Sequence, residues 1–122
     1  MAKILVIDDD EQIRYLFKRK LESKGHLVLL EDDGEPGLAS FKENKPDLIL
    51  LDIIMPRKEG LEVLREIIEL DPKAKVIAIS AGGRGRASDY LDYAWRFGAK
   101  KVLEKPVDLD SLATIVDEVL NN

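Results

Sequence analysis

Hydrophobic and polar positions alternate between two textures along the chain. Short aliphatic runs occur at residues 3–7, 27–31, 47–51, 75–80 and 101–104. Runs that are apolar at nearly every position suit strands buried on both faces, as in a parallel sheet flanked by helices. Between them lie longer amphipathic stretches. In the first, Ile13, Leu16, Phe17 and Leu21 share one helical face, while Arg14, Lys18 and Glu22 are expected to face water. In the last, Leu109, Leu112, Ile115, Val116, Val119 and Leu120 form an apolar stripe. Gly25 and Asp33-Gly34 mark turns, and Gly98 reads as the residue just past a helix end. Five βα units in succession predict an α/β fold, a doubly wound parallel sheet with helices on both faces and right-handed crossovers. The chain reads as a single domain over 1–122, without an internal repeat or linker and with no output domain expected beyond the fifth helix.

Composition narrows the chemistry. With 122 residues, 45% hydrophobic and 35% charged, the chain is long enough to bury a real core and is not of disordered composition. A net charge of −5 argues against non-specific binding to a nucleic-acid backbone. The apolar runs are far too short to span a membrane, and Met1-Ala2-Lys3 shows no signal-peptide pattern, so a cytoplasmic location is expected. There is no cysteine and His26 is the single histidine, which excludes disulfides and thiolate metal sites and disfavours zinc. Any bound metal should be a hard cation held by oxygen, with Mg²⁺ the first candidate.

Asp52 then stands out. It closes the apolar run Leu48-Ile49-Leu50-Leu51 and precedes Ile53-Ile54-Met55-Pro56. In open parallel sheets, ligands bind beyond the carboxyl ends of the strands, so a carboxylate there is well placed for chemistry. An Asp in that position also commonly starts a turn or caps a helix. Its company decides the matter. Asp8-Asp9-Asp10 follows the first strand, Ser80 ends the fourth, and Glu104-Lys105-Pro106 ends the fifth. If the first and third strands are neighbours, Asp8, Asp9 and Asp52 meet, and carboxylates sharing a site repel unless a cation joins them. Carboxylates, a backbone carbonyl and waters are what Mg²⁺ requires. Ser80 and Lys105 add a hydroxyl and an ammonium suited to phosphoryl oxygens. These are the parts of a phosphoryl-transfer site, where positioning and charge neutralisation do most of the work. Asp10 is expected at the N-cap of the first helix instead. Glu104 is expected to be exposed, His26 to lie in a turn, and Trp95 and Phe97 to belong to the core or a surface patch.

In this order, Ile7-Asp8-Asp9-Asp10, Leu51-Asp52-Ile53-Ile54-Met55-Pro56 with Gly60, Ile79-Ser80-Ala81 and Glu104-Lys105-Pro106 resemble the receiver domain of two-component response regulators. The resemblance covers essentially the whole chain, and it is to the stand-alone, chemotaxis-regulator-like type. It implies strand order 2-1-3-4-5 in a flavodoxin-like (βα)5 sandwich. Asp52 would be the phosphoacceptor, served by a sensor histidine kinase or a histidine phosphotransfer protein. Asp9 would bind Mg²⁺ directly, Asp8 would act through water, and Asp52 and the Ile54 carbonyl would complete the protein ligands. Ser80 would hydrogen-bond the phosphoryl group and Lys105 would pair with it. A downstream protein partner would dock near the fourth helix and fifth strand, with no role for nucleic acid or membrane.

Two departures accompany the resemblance. The family usually carries Tyr or Phe three residues before the lysine, where this chain has Val102, a side chain unable to swing as an aromatic switch does. The segment from Ser80 to Lys105 is also a few residues long for the family, with the surplus in Ala81-Gly82-Gly83-Arg84-Gly85-Arg86. This glycine-rich loop reads as a mobile connection ahead of an anion cradle. Loop and fourth helix, bearing Tyr90, Tyr93, Trp95 and Phe97, are expected to carry the signal in place of the aromatic switch. Two competing readings are a binding module of the same fold that does not use phosphorylation, and an aspartate-nucleophile phosphohydrolase using Asp8 and Asp10. Val102 favours the first of these, whereas Gln12 and the absence of a cap domain disfavour the second. The expected chain is a phosphoacceptor that catalyses only its own modification, and so is not an enzyme in the ordinary sense.

Overall fold

Five parallel strands form one sheet in the order β2-β1-β3-β4-β5. The computed structural model describes residues 1–55, 57–81 and 86–122, with only the backbone of 86–89 and 91. Pro56 and the Gly82-Gly83-Arg84-Gly85 loop, both singled out in the sequence, lie outside the described residues. The strands are β1 (Lys3–Ile7), β2 (Leu27–Glu31), β3 (Leu48–Asp52), β4 (Val76–Ala81) and β5 (Lys101–Lys105). Helices α1 (Glu11–Ser23), α2 (Gly34–Asn44), α3 (Gly60–Leu70), α4 (Arg86–Arg96) and α5 (Leu109–Leu120) alternate with them. The expected doubly wound α/β sandwich, with β1 and β3 adjacent at the centre, is what forms.

The centre of the sheet follows from side-chain chemistry. Every residue of β3 is buried, which suits a strand covered by helices on both sides. Alternation then sorts the apolar residues into two cores. Ile4, Val6, Leu48, Leu50, Ile77 and Ile79 face α1 and α5, where Phe17, Leu21, Leu112, Val116 and Val119 meet them. Leu5, Ile7, Ile49, Leu51, Val76 and Ala78 face the opposite layer, built by Leu38, Phe41, Val63, Leu64, Ile67 and Ala94 from α2, α3 and α4.

Local signals set the helix starts. Asp10 caps α1, its Oδ1 accepting from the amides of Gln12 at 2.9 Å and Ile13 at 3.3 Å. The cap is worth about 1 kcal/mol and is the role expected of Asp10. Asp108 does the same for α5. Asp33-Gly34, read as a turn, is instead the start of α2, because the Asp33 carboxylate accepts from the Gly34 amide at 2.7 Å and so favours a cap. Gly98 lies just past α4 with φ +112°, a backbone conformation in which a side chain would be strained. Among the described residues, no helix is long and apolar enough to cross a membrane.

Candidate functional site

Strand alternation aims three side chains at one place. Asp8 has the parity of Ile4 and Val6, Asp52 that of Leu48 and Leu50, and Lys105 that of Leu103, all on the α1–α5 face of the sheet. Their strands end together, because Ile7 pairs with Leu51 and Asp52 with Ile79. Carboxylate oxygens of Asp8, Asp9 and Asp52 accordingly lie within 4.8 Å of one another. Asp8 and Asp52 are buried, whereas Asp9 is exposed at the mouth of the cluster. The Lys105 ammonium reaches in from β5, 2.9 Å from Asp8 Oδ2 and 3.6 Å from Asp52 Oδ2.

Asp52 sits in an unusual electrostatic position. Burial and then the Asp8 carboxylate push its carboxyl up to about 7, against the pull of Lys105. A hydrogen bond with Asp9 raises it further, while the Ile54 amide, donating to Oδ1 at 3.2 Å, favours the anion. Burial alone would lower Lys105, but its hydrogen bond to Asp8 and the two carboxylate charges outweigh that and hold its pKa above the ordinary lysine value. Three acids against one ammonium leave the cluster short of positive charge, and strong pKa perturbation in a cleft is a hallmark of functional sites.

Ser80 stands apart from this network. It is fully buried at the end of β4, one residue beyond the partner of Asp52, and its Oγ has no hydrogen-bond partner among the described residues. A buried hydroxyl without a partner costs about 1–3 kcal/mol unless some group arrives to meet it. The Ile54 side chain is exposed beside the acceptor. Val102 is half-buried against the α2–α4 core, and Glu104 is exposed as expected. Trp95 and Tyr93 are exposed on α4, while Phe97 packs partly into the core and stacks against Tyr93.

The loop after Asp52 is closed by a contact that tolerates only glycine. The Gly60 amide donates to the Ile53 carbonyl at 2.8 Å. A Cβ at Gly60 would lie 2.2 Å from the Asp52 carbonyl oxygen and 2.5 Å from Ile53 Cα. The start of α3 thus presses directly on the backbone that presents the Asp52 carboxylate.

Arg14 was missed by pattern reading. Assigned to the solvent face of α1, it instead turns back and donates from Nη1 to the Asp8 backbone carbonyl at 2.7 Å. Its place in the first turn of a helix that starts beside three acids was the available signal.

The acids offer only oxygen donors, with one exposed and two buried, which suits a hard divalent cation and not a soft one. The unsatisfied Ser80 hydroxyl and the Lys105 ammonium suit an anionic oxygen arriving at Asp52. Comparison with known proteins agrees with this chemistry. The family described as "Response regulator receiver domain" matches residues 4–117. The chain is 34% identical over 120 residues to Chemotaxis protein CheY of Bacillus subtilis, covering 98% of each chain. It is 32% identical over 120 residues to Protein PilH of Pseudomonas aeruginosa, again covering 98% of each. The crystal structure of a response regulator receiver domain protein from Clostridium thermocellum superposes with a TM-score of 0.91 at 35% identity, covering 99% of this chain and 95% of that one.

Proposed function

Since the chain belongs to the response regulator receiver domain family of two-component signalling, we propose that Asp52 is its phosphoacceptor, in a Mg²⁺-dependent reaction. The observation that carries this reading is the buried Asp52 carboxylate, held at a strand end with two more carboxylates within 4.8 Å and an ammonium at 3.6 Å. Asp8, Asp9, Asp52 and the Ile54 carbonyl would hold Mg²⁺. When bound, the ion supplies the positive charge that lets the acids ionise together and that offsets charge on the transferring phosphoryl group.

The residues divide the remaining work. An Asp52 carboxylate oxygen attacks phosphorus of a phosphohistidine on a sensor kinase or phosphotransfer protein. A P–O bond forms, the P–N bond breaks, and the imidazole departs with the electron pair and regains a proton. Attack requires the Asp52 anion, and Lys105 at 3.6 Å favours it. As the phosphoryl group settles on Asp52, the Lys105 ammonium pairs with one of its oxygens and the Ser80 hydroxyl donates to another. The acceptor then carries about 1.5–2 negative charges in a cleft already crowded with acids, which shifts the surrounding loops. The exposed α4–β5 region, with Tyr93 and Trp95, is where a downstream protein would read the change. On this reading the protein works in the cytoplasm and transforms only itself.

The test is intact-mass measurement after incubation with Mg²⁺ and a small phosphodonor, and separately with a histidine-phosphorylated donor. One added phosphoryl group, absent from Asp52→Asn and from a chelated sample, is the expected result. No adduct from either donor would overturn the proposal and favour a module that binds without phosphorylation.

A further inference from the structure

Asp8 is held at four points. Its amide donates to the Glu31 carbonyl at 3.1 Å, its Oδ1 accepts from the Asp10 amide at 2.9 Å, and its Oδ2 meets Lys105 at 2.9 Å. The fourth contact is from Arg14, whose Nη1 donates to the Asp8 carbonyl at 2.7 Å. That carbonyl lies beyond the last pair of the β1–β3 ladder, Ile7 with Leu51. A guanidinium on α1 therefore supplies a donor where the sheet no longer does. The distance is in the range of a charge-assisted hydrogen bond. The peptide held in this way is the one joining Asp8 to Asp9. Asp9 is exposed, and its backbone runs between this held peptide and the Asp10 cap of α1.

We propose that Arg14 is a positioning residue for the cation site, clamping the Asp8–Asp9 peptide so that the Asp9 carboxylate faces that of Asp52. The inference rests on reading the three acids as a Mg²⁺ site. Arg14 has two physical effects on such a site, and they have opposite signs. As a fixed positive charge it repels a divalent cation, so its removal would tighten binding. As a clamp it orders a ligand before the ion arrives, so its removal would loosen binding. Arg14 is partly exposed, and water screens its repulsion to a few-fold effect at most. Loss of a contact that orients a metal ligand weakens affinity by roughly tenfold to a hundredfold. The clamp therefore outweighs the charge.

Calorimetric titration of Mg²⁺ into the full chain tests this, using the parent, Arg14→Met and Arg14→Lys. Methionine keeps the apolar stem on a good helix former and removes every donor, while lysine restores an ammonium donor group and the charge. The expected result is Mg²⁺ binding about tenfold weaker in Arg14→Met and largely recovered in Arg14→Lys. Amide shifts of metal-free Arg14→Met should change around residues 8–10 and 14, with its melting temperature nearly that of the parent. Binding by Arg14→Met that equals or exceeds the parent's would overturn the clamp, as would a loss that Arg14→Lys does not reduce. Failure of the parent itself to bind Mg²⁺ strikes the underlying reading of the acids instead, so the two failures are told apart.

Discussion

Replacing Asp52 by Asn should stabilise the metal-free protein, by an amount that grows with pH. The carboxyl of Asp52 is 4% exposed and its pKa is lifted from 3.8 to about 7 by burial and the Asp8 charge. An acid whose pKa is raised on folding weakens the fold when it ionises. Below 3.8 both states are protonated and nothing is lost; between 3.8 and about 7 only the unfolded chain gives up the proton, and stability falls; above about 7 the loss is complete. At about 1.4 kcal/mol per pH unit, the window from 3.8 to about 7 sets a ceiling of about 4 kcal/mol. Local relaxation and counterions reduce this, and about 2 kcal/mol is the working figure. Asparagine keeps the shape and can still accept from the Ile54 amide through its carbonyl oxygen. For a domain of this size the gain corresponds to a rise in melting temperature of about 8 °C. Circular-dichroism melts of parent and Asp52→Asn in chelator, from about pH 4 to about pH 8, would measure it. The advantage of Asn should be small at the acid end, increase through the window and level off above about pH 7. Saturating Mg²⁺ should shrink it, because the parent retains a ligand that the variant lacks. A gain independent of pH, or a loss of stability, would refute the electrostatic account. Asp8 is the poorer site for this test, since its partnership with Lys105 at 2.9 Å means that removing it also strips the ammonium of its nearer partner.

Two further outcomes follow from the same geometry. Gly60→Ala should cost about 3 kcal/mol in urea unfolding, because its Cβ would meet backbone atoms 2.2 and 2.5 Å away that no side-chain rotation can clear; a cost below about 1 kcal/mol would mean the α3 start yields easily. Ile54 offers no polar group to orient an attacking water, so Ile54→Asn should shorten the lifetime of the phosphoryl-aspartate by about tenfold, read as decay of the phosphorylated mass after donor removal; an unchanged lifetime would show that water is ordered from elsewhere.

Much was legible in the chain alone, for a definite reason. Periodicity is a local property, so unbroken runs such as Ile4 to Ile7 and Leu48 to Leu51 declared buried parallel strands, and the stripes on the first and last helices declared their inward faces. The position of a residue at the end of a run is equally local, and it already placed Asp8, Asp9, Asp52, Ser80 and Lys105 at the carboxyl ends of their strands. The register itself is not local. That Ile7 pairs with Leu51 and Asp52 with Ile79 depends on packing between elements far apart in sequence, and this pairing brings the carboxylates within 4.8 Å. The partner of Asp8 was hidden likewise, because the sequence assigned Lys105 to a phosphoryl oxygen and the fold also pairs it with a carboxylate. Asp33-Gly34 looked like a turn because turn and cap use the same residues, and only the helix that follows distinguishes them. Arg14 was assigned to water because an amphipathic pattern sorts side chains by polarity, and a polar residue at a helix start can serve either solvent or a strand end. The sequence by itself determined which residues are strands, helices and acids. Only the tertiary structure decided which of those acids pairs most closely with Lys105, which has its pKa raised to about 7, and which arginine donates to the Asp8 carbonyl, because charge and hydrogen bonding act across distances that the chain order does not encode.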